Sequence, residues 1–281
     1  MLNNFQKEIV EILSENRREY SYFSGGSILN LDFPRKSADF DIFQDDIVEC
    51  EKSFVTDIGI LRSNGYSVEI EMEPSKNGIG KVSVCREGES TRIEWAVDSA
   101  FRFFPVEKDP ALGFKLNYHD LAINKILAQA GRIEVRDYYD VCEMIRAGKP
   151  IVAYVWAACG KDPGYSPALL LDTMARNSKF QKEDFLFIDA DDDKKMTITE
   201  CKSLFVEMLN AARDAYQFAP IEEQGCLYFD VDTKEVFFPS EEDFIKGRYV
   251  KHEGRMFGSY PEFKTDDNKQ HFSPGLRTRM R

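Results

Sequence analysis

Two short segments near the start of the chain carry groups that could bind a triphosphate together with its metal ions. Asp39 and Asp41 lie two residues apart in an alternating segment, so a strand would point both carboxylates to one face. Carboxylate oxygens are preferred ligands of Mg²⁺. Upstream, Gly25 and Gly26 would let backbone amides approach phosphate oxygens, and Ser27 would add a hydroxyl at the positive end of a following helix. This combination predicts phosphoryl or nucleotidyl transfer.

A third carboxylate and nearby cations would complete such a site. Metal ions hold the triphosphate and offset charge on the attacking and leaving oxygens, so the protein mainly supplies ligands and position. Glu94, between two apolar residues of a later strand, is the preferred third acid, and Asp98 on the same face is the reserve. Arg35 and Lys36, just before the acidic strand, could neutralise phosphate charge.

The spacing of apolar residues predicts the elements that would position these groups. Alternation or short apolar runs predict strands near residues 20–24, 37–43, 66–72, 79–86 and 91–98, with a hairpin at 226–238. Helical spacing predicts helices near 5–18, 46–63, 118–130, 135–147, 151–159, 166–176 and 197–216. The strands cluster before residue 100 and most of the helices follow, so the sequence predicts the α+β class.

The motifs resemble a known superfamily. Gly25-Gly26-Ser27, eleven residues and then Asp39-Phe40-Asp41 look like the signature of the DNA polymerase beta-like nucleotidyltransferases. Within that superfamily, Arg35 to Asp41, Lys125-Ile126-Leu127-Ala128 and Asp137-Tyr138-Tyr139-Asp140 resemble the AbiEii-type toxin family of abortive-infection systems. The resemblance covers residues 20 to about 147.

The resemblance implies roles for the matching residues. Asp39 and Asp41 would bind Mg²⁺ or Mn²⁺, Gly26 and Ser27 would lie at the phosphates of an NTP, and Lys125 would reach the triphosphate. Asp137 would be a further active-site residue, although Asp137 and Asp140 are also suited to helix capping and an inter-helix salt bridge. Family members often carry a lysine two residues before the acid of the second motif, where this chain has Arg92 before Glu94, so the third carboxylate stays open.

The resemblance also implies an architecture. We expect a small mixed sheet of nucleotidyltransferase type flanked by helices, then a mainly helical second domain and a C-terminal hairpin with a tail. The corresponding boundaries are a nucleotidyltransferase domain at 1–112, a helical domain at 113–218 and the hairpin and tail at 219–281.

The leading hypothesis is a magnesium-dependent enzyme that moves a nucleoside monophosphate from an NTP to an acceptor hydroxyl. The family implies an RNA end such as tRNA as acceptor, a toxin-antitoxin or phage-defence setting, and a cognate antitoxin as partner. Two alternatives stay open: transfer to a small-molecule hydroxyl, and a catalytically idle module that binds nucleotide for regulation.

Composition limits how nucleic acid could bind. The 281 residues carry a net charge of −12, so the surface as a whole should repel a polyanion and any RNA contact must be local. Residues 246–281 contain nine basic residues against four acids, with interleaved aromatic residues. That segment is either an RNA or partner contact or a tail whose aromatic side chains pack on the body.

Other sequence signals favour a reduced, cytoplasmic protein without zinc. The six cysteines have no Cys-x-x-Cys spacing, and neither a secretory signal nor a membrane-spanning apolar run is apparent. Residues 189–200 resemble a calcium-binding loop, but Lys194 takes the place of the required glycine, which favours a solvated acidic loop. His119 beside Asp120 suggests acid-base chemistry, although a structural role is the expectation.

Overall fold

A mixed seven-stranded sheet forms the first part of the protein. The computed structural model describes residues 2–74 and 78–263. Its strands are β1 Ser21–Ser24, β2 Asp39–Gln44, β3 Ser67–Met72, β4 Ile79–Arg86, β5 Glu89–Val97, β7 Glu107–Asp109 and β8 Gly113–Lys115. The strand order is β3-β4-β5-β2-β1-β8-β7, and only the β2–β5 and β1–β8 pairs of this sheet are parallel. A two-residue strand, β6 Phe101–Arg102, comes between β5 and β7 in the sequence.

Helices surround this sheet and then dominate the chain. The helices are α1 Asn4–Ser14, α2 Gly25–Leu29, α3 Ile47–Ser63, α4 Tyr118–Gly131, α5 Val135–Arg146, α6 Ile151–Lys161, α7 Pro167–Arg176, α8 Ile198–Tyr216 and α9 Glu241–Lys246. The remaining strands are β9 Cys226–Asp230, β10 Val236–Phe237, β11 Tyr249–Glu253 and β12 Arg255–Met256. The predicted α+β class, with a mixed sheet flanked by helices, is confirmed.

Alternation along β2 separates a buried face from a polar one. Phe40 and Ile42 are fully buried, whereas Asp39 and Asp41 on the other face keep part of their surface exposed. On the buried side, helix α3 packs against β5, where the Phe54 and Trp95 rings meet edge to face at 5.1 Å. One face of the sheet therefore supplies the core and leaves the other free to carry charged side chains.

A buried ion pair ties two helices to the underside of the sheet. Arg17, just beyond α1, contacts Asp57 of α3 at 2.5 Å, and both side chains are fully buried. The same carboxylate accepts a hydrogen bond from the indole nitrogen of Trp95 on β5 at 2.8 Å. A buried charge pair is tolerated when further hydrogen bonds satisfy it, so this cluster fixes α1 and α3 against β5.

The second part of the chain packs around α4 and α6, and the C-terminal strands join it. The predicted hairpin corresponds to β9 and β10, and β11 adds to the other edge of β9. Tyr249 packs against Tyr228 at 5.2 Å, and Phe263 against Phe229 at 6.0 Å. Tyr249 and Phe263 therefore pack on the body, as one of the two predictions required, whereas the Phe257 side chain is 59% exposed. The part of the basic and aromatic segment after residue 263 lies outside the described residues.

His119 and the acidic loop have structural contacts. The His119 ring lies 2.9 Å from the Tyr154 hydroxyl, and burial lowers the pKa of the imidazole to about 4. Asp120 accepts hydrogen bonds from two backbone amides and pairs with Lys161 at 3.0 Å. Glu200, the last acid of the calcium-loop-like segment, closes a capping box with Thr197 at the start of α8.

Among the helices of the described residues, none is long and apolar enough to cross a membrane.

Candidate active site

A cleft of about 420 Å³ opens on the polar face of the sheet, against α4 and α5. Its lining is almost entirely polar and carries as many cations as carboxylates. The cations are Arg35, Lys81, Arg92, Lys125, Arg132 and Arg136, and the acids are Asp39, Asp41, Glu71, Glu94, Glu134 and Asp137. Equal numbers of cations and carboxylates suit an anionic ligand that carries a bound metal ion.

Strand register brings the predicted acids to the same part of the cleft. Asp41 lies directly opposite Glu94 in the parallel β2–β5 pair and opposite Ser24 in the antiparallel β1–β2 pair. Withdrawal from water, followed by the charges of Asp39 and Glu94, raises the pKa of the Asp41 carboxyl to about 7. The three carboxylates therefore repel one another, and a divalent cation would relieve that repulsion.

Basic side chains neighbour two of these acids. Lys81 of β4 contacts Glu94 at 2.7 Å, and Arg136 of α5 lies 3.8 Å from Asp39. Both pairs are partly exposed, and such pairs contribute little stability. Within residues 2–74 and 78–263, no three His, Cys, Asp or Glu side chains are already arranged as a metal cage. The carboxylate oxygens of Asp39, Asp41 and Glu94 are nevertheless of the kind that Mg²⁺ or Mn²⁺ prefers.

The position of Gly25 explains why a glycine is needed beside Asp41. Its backbone has φ of +74°, in the left-handed region, and a Cβ there would lie 1.7 Å from Oδ2 of Asp41. Gly26 is close to a different set of groups, because a Cβ there would lie 2.7 Å from Nη2 of Arg35 and 3.5 Å from Nζ of Lys125. The turn thus contacts Asp41 through Gly25 and the cations Arg35 and Lys125 through Gly26.

We expect the Gly25→Ala variant to lose both stability and any activity of the cleft. The left-handed backbone costs a non-glycine residue about 1–2 kcal/mol, and the added methyl group must displace the Asp41 carboxylate. A displacement near 1 Å can reduce a catalysed rate about 100-fold. Urea unfolding followed by circular dichroism measures the first effect, and a nucleotide-transfer assay measures the second.

Gly59→Ala is the matched control for this variant. Gly59 lies within α3, and a Cβ there would meet no atom within 4 Å. Alanine is favoured over glycine by about 1 kcal/mol inside a helix, so this variant should be at least as stable as the natural protein. If Gly25→Ala were equally stable and active, the proposed contact with Asp41 would be wrong.

A chain of charges, buried except for Arg132, connects the turn to α4 and α5. Lys125 lies 2.7 Å from Asp137 and 3.0 Å from Asp140, whereas Arg35 contacts Asp140 at 2.5 Å and Arg132 contacts Asp137 at 2.6 Å. Burial alone would lower the pKa of Lys125, but Asp140 and Asp137 outweigh it and raise that pKa. Lys125 therefore stays protonated at the wall of the cleft.

The same contacts shift the pKa values of Asp137 and Asp140. Burial would raise the pKa of each carboxyl, but Lys125 together with an arginine lowers both. Asp140 is fully buried and also accepts a hydrogen bond from Asn30 at 3.0 Å. The salt bridge between helices, one of the two expectations for this motif, is therefore present. Asp137 also lines the cleft, so a further role there stays a prediction.

Four predicted residues lie outside the lining of the cleft, namely Gly25, Ser27, Lys36 and Asp98. Ser27 is buried in α2, and its hydroxyl has no hydrogen-bond partner among the residues the structure describes. Asp98 follows the end of β5, near the side-chain amide of Asn124 at 3.5 Å, and burial raises the pKa of its carboxyl. Of the two candidates for the third carboxylate, Glu94 is the one that faces Asp41.

Several charged residues of the cleft were not among the predicted site residues. Lys81 is opposite Glu94 in the antiparallel β4–β5 pair, so its place follows once the register of that hairpin is known. Arg132 and Arg136 come from the junction of α4 and α5. An Arg-x-x-x-Arg spacing across a helix start was the available signal.

Comparison with known proteins gives a likeness among solved structures. The sequence matches no described protein family and no curated protein. MenT4, a nucleotidyltransferase toxin of Mycobacterium tuberculosis, is 14% identical over 73% of this chain and 91% of its own, with a TM-score of 0.42. A candidate nucleotidyltransferase of Helicobacter pylori is 15% identical over 74% of this chain and 92% of its own, with a TM-score of 0.46.

A further similar structure is JHP933 of Helicobacter pylori. It is 15% identical over 74% of this chain and 89% of its own, with a TM-score of 0.45.

Proposed function

We propose that the protein is a nucleotidyltransferase, dependent on Mg²⁺ or Mn²⁺, that moves a nucleoside monophosphate from an NTP to an acceptor hydroxyl. The observation that carries the proposal is the convergence of Asp39, Asp41 and Glu94 in one cleft, with Asp41 packed against the glycine turn. Acids that repel one another beside a small-residue turn and a buried lysine suit a metal-bound triphosphate.

Each part of the cleft has a role in this proposal. Asp39, Asp41 and Glu94 would hold the divalent ion, which supplies charge stabilisation at the phosphates when bound. Lys125 and Arg35 neutralise phosphate charge, and Gly26, where a Cβ would lie 2.7 Å from Nη2 of Arg35, lets these cations approach the turn. The acceptor oxygen forms a bond to the α-phosphorus while the bond to the bridging oxygen breaks. Pyrophosphate leaves with that electron pair, and the hydroxyl proton passes to solvent.

The acceptor and the biological setting are part of the proposal. The sequence resemblance favours an RNA end such as tRNA, a toxin-antitoxin or phage-defence setting in the cytoplasm, and a cognate antitoxin as partner. Any RNA contact must be local, because the net charge of the chain is −12 and the six cations of the cleft are balanced by six acids. In this proposal the catalytic domain is 1–112, the helical domain 113–218 and the hairpin and tail 219–281, although β8 extends the sheet to Lys115.

Labelling with NTPs tests the proposed reaction. The protein is incubated with each α-³²P-labelled NTP and Mg²⁺, with either total tRNA or a panel of small hydroxyl compounds. We expect labelled RNA and released pyrophosphate, a loss of at least about 100-fold on adding EDTA, and recovery with Mg²⁺ or Mn²⁺. Labelled small molecules would favour the alternative acceptor. Nucleotide binding without transfer to either acceptor would contradict the proposal and indicate a regulatory module.

A further inference from the structure

A second cavity adjoins the cleft and shares part of its wall. It has a volume of about 570 Å³ and lies between the start of α1 and the segment around Phe187. Arg35, Ser37 and Arg136 line both cavities. Because Arg136 lies 3.8 Å from Asp39, the second cavity opens directly beside the proposed metal ligands. A molecule lying in it could extend one end toward the reacting phosphate.

The charge of this cavity differs from that of the cleft. Four cations line it, Lys7, Arg35, Lys36 and Arg136, against a single acid, Asp189. Such an excess is local in a protein whose net charge is −12. Arg35, Lys36 and Arg136 also contact acids outside this lining, namely Asp140, Asp191 and Asp39. The lining itself is nevertheless richer in cations than that of the cleft, which suits a polyanion leading into the cleft.

One aromatic ring on the cavity wall is exposed but firmly placed. The residue Phe187 is 80% exposed, whereas its neighbours Phe185 and Ile188 are 6% and 2% exposed and belong to the core. The next residue, Asp189, accepts a hydrogen bond through its carbonyl from the amide of Lys36 at 2.8 Å. Buried residues on both sides and a backbone contact thus fix a solvent-facing ring at the rim of a basic cavity.

We propose that this second cavity holds the 3′ end of a single-stranded RNA acceptor, with a base stacked on Phe187 and the backbone phosphates near Lys7 and Arg136. The inference rests on the proposed function and specifies its acceptor. Aromatic rings stack with any base, and basic grooves follow the backbone, so together they bind single strands with little sequence preference. The terminal hydroxyl then lies toward Asp39, where the NTP would meet it.

Three variants test the stacking contact. The probe is a ten-nucleotide single-stranded RNA with a 5′ fluorescein and a free 3′ hydroxyl, and its affinity is measured by anisotropy. We expect Phe187→Ala to raise the Kd about tenfold and Phe187→Tyr to stay within about twofold. Leu186→Ala is the matched control, because Leu186 is 78% exposed on the same turn but does not line the cavity. Its Kd should not change.

Salt dependence and kinetics separate this contact from a merely structural effect. Lys7→Gln should reduce the slope of log affinity against log salt by about 0.7, the value for one phosphate contact on a single strand. Phe187→Ala should leave that slope unchanged, raise the KM for the RNA and leave the KM for the NTP as it was. Equal weakening by Leu186→Ala, or a change confined to the KM for the NTP, would overturn the proposal.

The test also distinguishes the acceptor site from the reaction itself. A variant with Asp39 and Asp41 both replaced by alanine should bind the RNA probe normally while transferring no nucleotide. If the natural protein transfers nucleotide to RNA but Phe187→Ala binds the probe normally, only the acceptor site is wrong. If the natural protein transfers nothing, the proposed function fails whatever the probe shows. Unchanged RNA binding with loss of a protein partner in Phe187→Ala would make the cavity a protein-binding site.

Discussion

Replacing Asp39 and Asp41 together with alanine is expected to reduce nucleotide transfer at least about 10³-fold and to leave the protein folded. The two carboxylates lie on one face of β2 with Phe40 buried between them on the other, so their removal leaves the core intact. Loss of the proposed metal ligands removes several kcal/mol of transition-state stabilisation, and each 1.4 kcal/mol is a factor of ten in rate.

Stability gives this prediction a second, independent readout. Burial and the charges of Asp39 and Glu94 raise the pKa of the Asp41 carboxyl to about 7, so the folded state disfavours its charge. Removing both aspartates therefore relieves repulsion, and the thermal midpoint should stay the same or rise. Purely structural aspartates would give the opposite result, a fall in the midpoint with little change in transfer per folded molecule.

Glu69→Ala is the control for the loss of a carboxylate on the same sheet. Glu69 is an exposed residue of β3 that does not line the cleft, so its removal should leave both transfer and the midpoint unchanged. The assignment of the acids would be rejected if the double variant kept more than a tenth of the natural activity under the same conditions.

Local sequence patterns predicted the long elements well because each carries its own signal. The alternation in β2 fixes which side of the sheet Phe40 and Asp41 occupy, and the predicted helices from 118 to 216 agree closely with α4 to α8. Short elements were missed. Strands β6 to β8 each have two or three residues, and β11 forms because β9 offers an edge, which is a tertiary effect.

The candidate site was only partly predictable for a similar reason. Asp39, Asp41 and the glycine turn are close in sequence, and the turn directly follows β1, the strand that pairs with β2. In contrast, the segment around Asp189 pairs with the backbone near Lys36, more than a hundred residues earlier, and nothing local indicates that contact. The ion pair between Lys81 and Glu94 likewise depends on hairpin register. Contacts that depend on strand register or on the packing of distant segments can be identified only once the fold is known.

The second large effect is expected at Asp140, which holds the buried charges beside the glycine turn. Its carboxylate contacts Arg35 at 2.5 Å and Lys125 at 3.0 Å and is fully buried. Asp140→Ala leaves these two cations close together without the acid they share. Removing one partner of a buried ion pair costs about 3–5 kcal/mol, so the free energy of unfolding in urea should fall by that amount.

The Lys125→Met variant, which perturbs the same cluster, should destabilise the protein less than Asp140→Ala. After it, Asp137 keeps Arg132 at 2.6 Å and Asp140 keeps Arg35, so each acid retains a cation and the cost should be about 1–2 kcal/mol. If Lys125 neutralises the triphosphate, however, this milder variant should lose more NTP affinity per folded molecule than Asp140→Ala does.

Asp172→Ala is the control, because it removes an exposed partner of Arg213 and should change stability by less than about 1 kcal/mol. If Lys125→Met and Asp140→Ala destabilised the protein equally, the Asp140 carboxylate would not hold both Arg35 and Lys125. The proposed role of Asp140 in positioning these cations beside the cleft would then be wrong.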